Sequence, residues 1–110
     1  MAVYRSKVAY FSGSEWDVII AVRKVLNSSP TYENTLELEG HRRFQTNVKP
    51  NVLFLSTPMS ITIHSINGEV VVKVETQSQP WVMGDIFDMY NRYINNFLRE
   101  LNVAVRRPTR

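Results

Sequence analysis

His41 and His64 are the only histidines in this 110-residue chain. The zinc or general-base chemistry they could support needs two or three convergent groups. Neither has a carboxylate or a second histidine at ligand spacing, so neither is assigned a catalytic or metal role. Asp85 and Asp88, three apart, could act as a metal-binding or acid–base pair. Their place in the first turns of a predicted helix already accounts for them, because carboxylates there stabilise the positive end of the helix dipole and Asp88 meets Arg92 at i+4. Cysteine is absent, which removes thiol nucleophiles, Cys-based zinc sites and disulfides. No catalytic residue, metal site or cofactor is assigned, and an enzyme is the least supported class.

The residues with most to offer are apolar and aromatic. Trp81, Met83, Phe87, Tyr90, Tyr93 and Phe97 form the richest aromatic stripe in the chain, at the spacing of a helix. Such a stripe can be plain core or the wall of a ligand site. Tyr90 and Tyr93 carry hydroxyls that need partners if buried, and a long helix over a curved sheet leaves a concave apolar space. Trp81, just after Pro80, can act as a lid over that space or as an anchor for a partner.

A second class of partner is suggested by charge. The formal net charge is +3, with 13 Lys and Arg against 10 Asp and Glu. Three of the cations, Arg106, Arg107 and Arg110, stand at the C-terminal end, and the remaining ten balance the acids. A three-arginine tail neutralises at most about three phosphates, which supports only weak, salt-sensitive association. Arg5, Lys7, Arg42 and Arg43 join the tail as the candidate nucleic-acid set. His41-Arg42-Arg43 on a loop beside Phe44 could grip a phosphate while a ring stacks on a base. The register derived below instead turns Phe44 inward.

Positioning these groups requires a definite set of elements. Ala2 to Phe11 alternates, with Tyr4, Val8 and Tyr10 on one side and Val3, Arg5 and Lys7 on the other, as a half-buried strand does. Ser14 then caps a helix over Glu15 to Asn27, whose Trp16, Val18, Ile19, Ile20, Val22, Val25 and Leu26 predict deep burial. Asn27-Ser28-Ser29-Pro30 ends it. Asn67-Gly68 predicts a type I′ hairpin that sets Ile66 against Glu69, Ile63 against Val72 and Ile61 against Val74. That register gathers Ile61, Ile63, Val70, Val72 and Val74 on one face, with only Val71 out of pattern. At Gly40 a three-residue loop is preferred, pairing Leu38 with Phe44, Leu36 with Thr46 and Glu39 with Arg43. Val52 to Leu55, apolar on both sides, reads as a central strand. Pro58 is expected at a strand end.

From Pro80 to about Val103 the apolar residues recur at i, i+3, i+4 and i+7, with Asp85, Asp88, Asn91, Arg92, Asn95 and Arg99 opposite, and predict one unbroken amphipathic helix. Val103 to Arg110 reads as a frayed, solubilising terminus. The fold expected is therefore α+β, a single domain over residues 1–105 with a basic tail at 106–110. Its order is strand, helix, five strands, long helix, with both helices on one face of a curved antiparallel sheet. This element order resembles the helix-grip and TATA-binding-protein-like (TBP-like) topologies. The resemblance covers the whole chain and implies the architecture alone.

The longest apolar runs, Val18 to Val22 and Val52 to Leu55, fall far below the ~20 residues of a membrane span. Met1 to Phe11 lacks the apolar core of a signal peptide, and a cytoplasmic location is expected. The leading functional expectation is a small non-enzymatic binding domain, holding an apolar small molecule or a protein between the last helix and the sheet. The alternatives are nucleic-acid association through the open sheet face and basic tail, and assembly as a homodimer through an edge strand or the mouth of the last helix.

Overall fold

The computed structural model describes residues 4–38, 40, 42–49, 57–77 and 89–106. Its elements run β1 (Tyr4–Ser12), α1 (Glu15–Ser28), β2 (Tyr32–Leu38), β3 (Arg43–Val48), β4 (Thr57–Ile66), β5 (Glu69–Gln77) and α2 (Met89–Arg106). The five strands form one antiparallel sheet in the order β1-β5-β4-β3-β2. Both helices pack on one side of it, α1 over β2 and β4 and α2 over β1 and β5. The fold is the α+β helix-grip arrangement anticipated from element order.

The β4–β5 hairpin has the register dictated by its turn: Ile66 faces Glu69, Ile63 faces Val72 and Ile61 faces Val74. Asn67 and Gly68 adopt φ of 51° and 80°, as a type I′ turn requires at both central positions. Ile61, Ile63, Val70, Val72 and Val74 are accordingly buried beneath the helices. Val71, the residue out of pattern, is also buried, although alternation places it on the outer face between Tyr10 and His64.

The hairpin at Gly40 departs from expectation. Leu38 pairs with Arg43, Glu37 with Phe44 and Leu36 with Gln45, so the pairings of Leu38 with Phe44, Leu36 with Thr46 and Arg43 with Glu39 are all corrected by one residue. Farther from the turn, a bulge between Glu33 and Leu36, with Asn34 at φ 54°, shifts the register by one residue more. One extra residue in the left-handed region lets Tyr32 face the core while Leu36 and Leu38, which would otherwise follow it inward, turn out to solvent. Phe44 still enters the core, as expected.

Val52 to Leu55, expected as a central strand, lie outside the described residues. β3 is bonded directly to β4 from Arg43–Thr62 to Val48–Thr57, and the five described strands leave only the outer edges of β1 and β2 open. Pro58 is the second residue of β4, opposite Asn47, at the strand end where its missing N–H is tolerated.

Ser14 caps α1 by accepting a hydrogen bond from the Asp17 amide at 3.0 Å, and Glu15 and Asp17 sit in its first turn. Val18, Ile19, Ala21, Val22, Val25 and Leu26 form its buried face. Trp16, expected inside, is 52% exposed. It lies on the outward side of the first turn, where the Arg23 guanidinium stands 5.7 Å from its ring. In α2, Tyr90, Ile94, Phe97 and Leu101 are almost fully buried, the stripe predicted from spacing. The helix continues to Arg106, and Ala104 and Val105 pack against the core, so the frayed segment expected from Val103 is helical through that point.

Candidate functional site

The inner sheet face is built in cross-strand rows, and its chemistry changes along the strands. Phe44, Ile61 and Val74 form one row and Ile63 and Val72 another, all apolar. Continuing the alternation toward the start of β4 gives the row Thr46, Met59 and Thr76, and then Val48 opposite Thr57. Thr46, Thr57 and Thr76 are buried at 3%, 2% and 1% exposure, so a hydrocarbon surface ends in three hydroxyls. The helix reaches the same end of the sheet. Tyr32 pairs with Val48, and its ring meets Phe97 of α2 edge-on at 5.9 Å.

The hydroxyls differ in how they are satisfied. Thr46 Oγ1 donates to the Glu33 carbonyl at 3.1 Å and shares a 3.0 Å hydrogen bond with Thr35 Oγ1. Thr76 Oγ1 is buried with no hydrogen-bond partner among the described residues. Unpaired buried hydroxyls are costly and uncommon.

Of the expected ligand-site residues, Tyr90, Tyr93 and Phe97 lie in the buried layer under α2, and Trp81, Met83 and Phe87 fall outside the described residues. The Tyr90 and Tyr93 rings are 6.3 Å apart and nearly perpendicular. Burial, and secondarily Tyr90, raises the pKa of Tyr93. Burial raises that of Tyr32 more, with the Glu100 charge adding to it. Both hydroxyls are therefore held neutral.

The candidate nucleic-acid residues among the described ones, Arg5, Lys7, Arg42 and Arg43, are not gathered on one surface. Arg5 and Lys7 lie on the inner side of edge strand β1, where Arg5 Nη1 donates to the Tyr4 carbonyl at 3.0 Å and Lys7 Nζ to Asn95 Oδ1 at 2.8 Å. Arg42 precedes β3 and pairs with Glu15 at 2.7 Å, and Arg43 lies on the outer face opposite Leu38. Arg106 is the last residue of α2, while Arg107 and Arg110 fall outside the described residues. The outer face mixes Lys73 with Glu69 and Glu75 and so is no cationic platform. His64 is exposed there, opposite Val71, and His41, Asp85 and Asp88 lie outside the described residues. Among the described residues no three His, Cys, Asp or Glu side chains are grouped to hold a metal, and no helix is long and apolar enough to cross a membrane.

Among the grooves lined by described residues, two are open. One, of about 470 Å³, crosses the outer face between Tyr4 and Leu36. The other, of about 430 Å³, separates the helices beside Lys24, Val25, Ser28, Glu100 and Val103. The buried threonines and the outer groove were not singled out by sequence reasoning. The threonines were within its reach: extending the Asn67-Gly68 register outward from Ile61 and Val74 places Met59, Thr57 and Thr76 on the apolar face.

No family model and no curated protein matches the chain in sequence. Solved structures do match its shape. The protein described as Ara h 8.0201 superposes with a TM-score of 0.63 at 8% identity, over 96% of this chain and 98% of its own. A START superfamily protein from Mycobacterium smegmatis gives 0.55 at 10% identity, over 89% and 92%. A conserved protein from Geobacillus kaustophilus gives 0.55 at 10% identity, over 94% and 95%. At these identities the likeness establishes the fold alone, a helix grip spanning nearly the whole chain.

Proposed function

We propose that this chain is a small binding domain that holds an apolar molecule bearing one neutral polar group between α2 and the inner face of the sheet. The observation that carries the reading is the Thr76 hydroxyl. It is 1% exposed and has no hydrogen-bond partner among the described residues, in the inner-face row where the hydrocarbon surface gives way to threonine hydroxyls. A ligand whose polar end reaches Thr76 relieves a desolvation cost that the free protein bears, while its body replaces the contacts of the Ile61, Val74 and Met59 rows. The Tyr93 hydroxyl, held neutral by burial, is a further polar group under α2.

The test is a thermal-shift screen of fatty acids, isoprenoid alcohols and aromatic metabolites on wild type and Thr76→Val. The reading requires at least one class to raise the wild-type Tm, with a shift at least halved in Thr76→Val, which removes the hydroxyl at nearly constant volume. A screen in which no class moves the wild-type Tm would refute a small-molecule role. Among the described residues the cations are scattered and give the nucleic-acid alternative no common surface.

A further inference from the structure

On the face turned away from both helices, we propose a second binding site, for a neutral, hydroxyl-rich ligand of the saccharide type. The groove there is about 470 Å³, and its shape follows from side-chain size along one cross-strand row. Glu75, Ser60, Gln45 and Leu36 stand side by side on β5, β4, β3 and β2. The smallest of them, Ser60, is on the central strand. Leu36 rises on the β2 edge, and Tyr4 rises on the β1 edge with its hydroxyl donating to Glu75. The trough between them crosses five strands, about 19 Å at the usual strand spacing. Its floor also touches the Thr46, Met59 and Thr76 row, whose side chains alternate to the inner face.

The lining selects the chemistry. Arg43 and Glu75 give it one cation and one anion, so there is no net charge to attract a polyanion. Gln45 and Asn47 present carboxamides, each donor and acceptor at once, and Glu75 adds acceptors. A row of sugar hydroxyls, which also donate and accept, matches that mixture where a hydrocarbon would not. The Tyr4 ring, 49% exposed in its residue, and the Leu36 side chain offer apolar surface to the C–H faces of sugar rings. Ser60 Oγ supplies the independent sign of a ligand: it lies on the floor, out of contact with water, and has no hydrogen-bond partner among the described residues. Rotation of the Ser60 side chain toward the groove would let a hydroxyl entering between Gln45 and Glu75 provide one.

The test is a two-dimensional heteronuclear NMR titration of the full chain with cellotriose, maltotriose and N-acetylated chitotriose, alongside glucose 6-phosphate. The expected result is millimolar affinity for at least one trisaccharide, with amide shifts confined to the outer-face neighbourhood of Gln45, Ser60 and Glu75. Ser60→Ala, which removes an unpaired hydroxyl and should fold normally, is expected to weaken that affinity about three- to tenfold. Thr76→Val, whose side chain is on the other face, should leave it unchanged. The proposal is overturned by absence of shifts with all three trisaccharides, by an unaltered affinity in Ser60→Ala, or by tighter binding of the sugar phosphate in the same groove. None of these outcomes bears on the inner-face site, which the lipid and metabolite screen tests separately.

Discussion

Arg23 and Glu37 meet as a fork, Nε to Oε1 at 2.8 Å and Nη2 to Oε2 at 3.0 Å, and so fasten the middle of α1 to β2. The same guanidinium stands 5.7 Å from the Trp16 ring, making one side chain serve two contacts on the exposed flank of the helix. The bulge at Asn34 is what brings Glu37 to the helix side of β2, because the residues on either side of it then face outward as Leu36 and Leu38.

A double-mutant cycle on Arg23→Ala and Glu37→Ala should give a coupling energy of about 0.5–1 kcal/mol. The bidentate geometry favours a value above that of ordinary surface pairs, and partial exposure, 35% and 24% for the two side chains, screens it. Urea denaturation of the four proteins measures it. A coupling indistinguishable from zero would show the fork to be an incidental contact.

At the other hairpin, Gly68→Ala should destabilise the protein by about 1–2 kcal/mol, the cost of placing a Cβ in the left-handed region. Nothing lies within 4 Å of that Cβ, so the loss would be purely conformational. An unchanged denaturation midpoint would mean that the turn relaxes to another type.

These two hairpins show what the residues disclose on their own and what they do not. At Asn67-Gly68 turn chemistry and apolar alternation specify the same register, and the whole β4–β5 pairing could be read directly. At Gly40 they compete. Pairing leucines with Phe44 and Thr46 looks favourable only if alternation along β2 is unbroken, and Asn34 in the left-handed conformation breaks it. Trp16 misled for a similar reason, since its apolar ring suggested core while a cation on the next two turns holds it at the surface. The stripe of α2 was legible from spacing because Tyr90, Ile94, Phe97 and Leu101 obey one period. The outer groove was not, since it depends on which four residues of four different strands become neighbours.

The two inner-face threonines of one row should respond oppositely to the same change. Thr46→Val removes a hydroxyl bonded to both Glu33 and Thr35, leaving the carbonyl and Thr35 Oγ1 to be resatisfied, and should cost about 1–2 kcal/mol. Thr76→Val removes an unpaired hydroxyl and should be neutral or stabilising by up to about 1 kcal/mol in the ligand-free protein. Chemical denaturation without added ligand compares them. Equal destabilisation by both would mean that Thr76 has a partner in solution and would remove the main support for the inner-face site.

Stability should also fall at alkaline pH. Burial lifts the Tyr32 hydroxyl, with the Glu100 charge assisting, and burial followed by Tyr90 lifts Tyr93. In the unfolded chain both would ionise near pH ~10. The folded protein thus retains protons that the unfolded chain has released, and the sign of the linkage follows. These groups contribute fully below about pH 10, and their contribution is lost as pH rises toward their folded values, by at most about 1.4 kcal/mol per pH unit for each. Glu100, raised by its own burial, acts with the same sign in the acid range: its contribution is complete at low pH and declines as the carboxyl ionises. The urea midpoint measured between roughly pH 8 and 11 should therefore drop on its alkaline side. Tyr32→Phe keeps the edge contact with Phe97 while removing the proton, so its alkaline decline should be shallower than that of wild type. If the two curves run parallel, Tyr32 is not held neutral by its surroundings, and the tight seating of α2 against the Tyr32, Val48 and Thr57 end of the sheet would be in error.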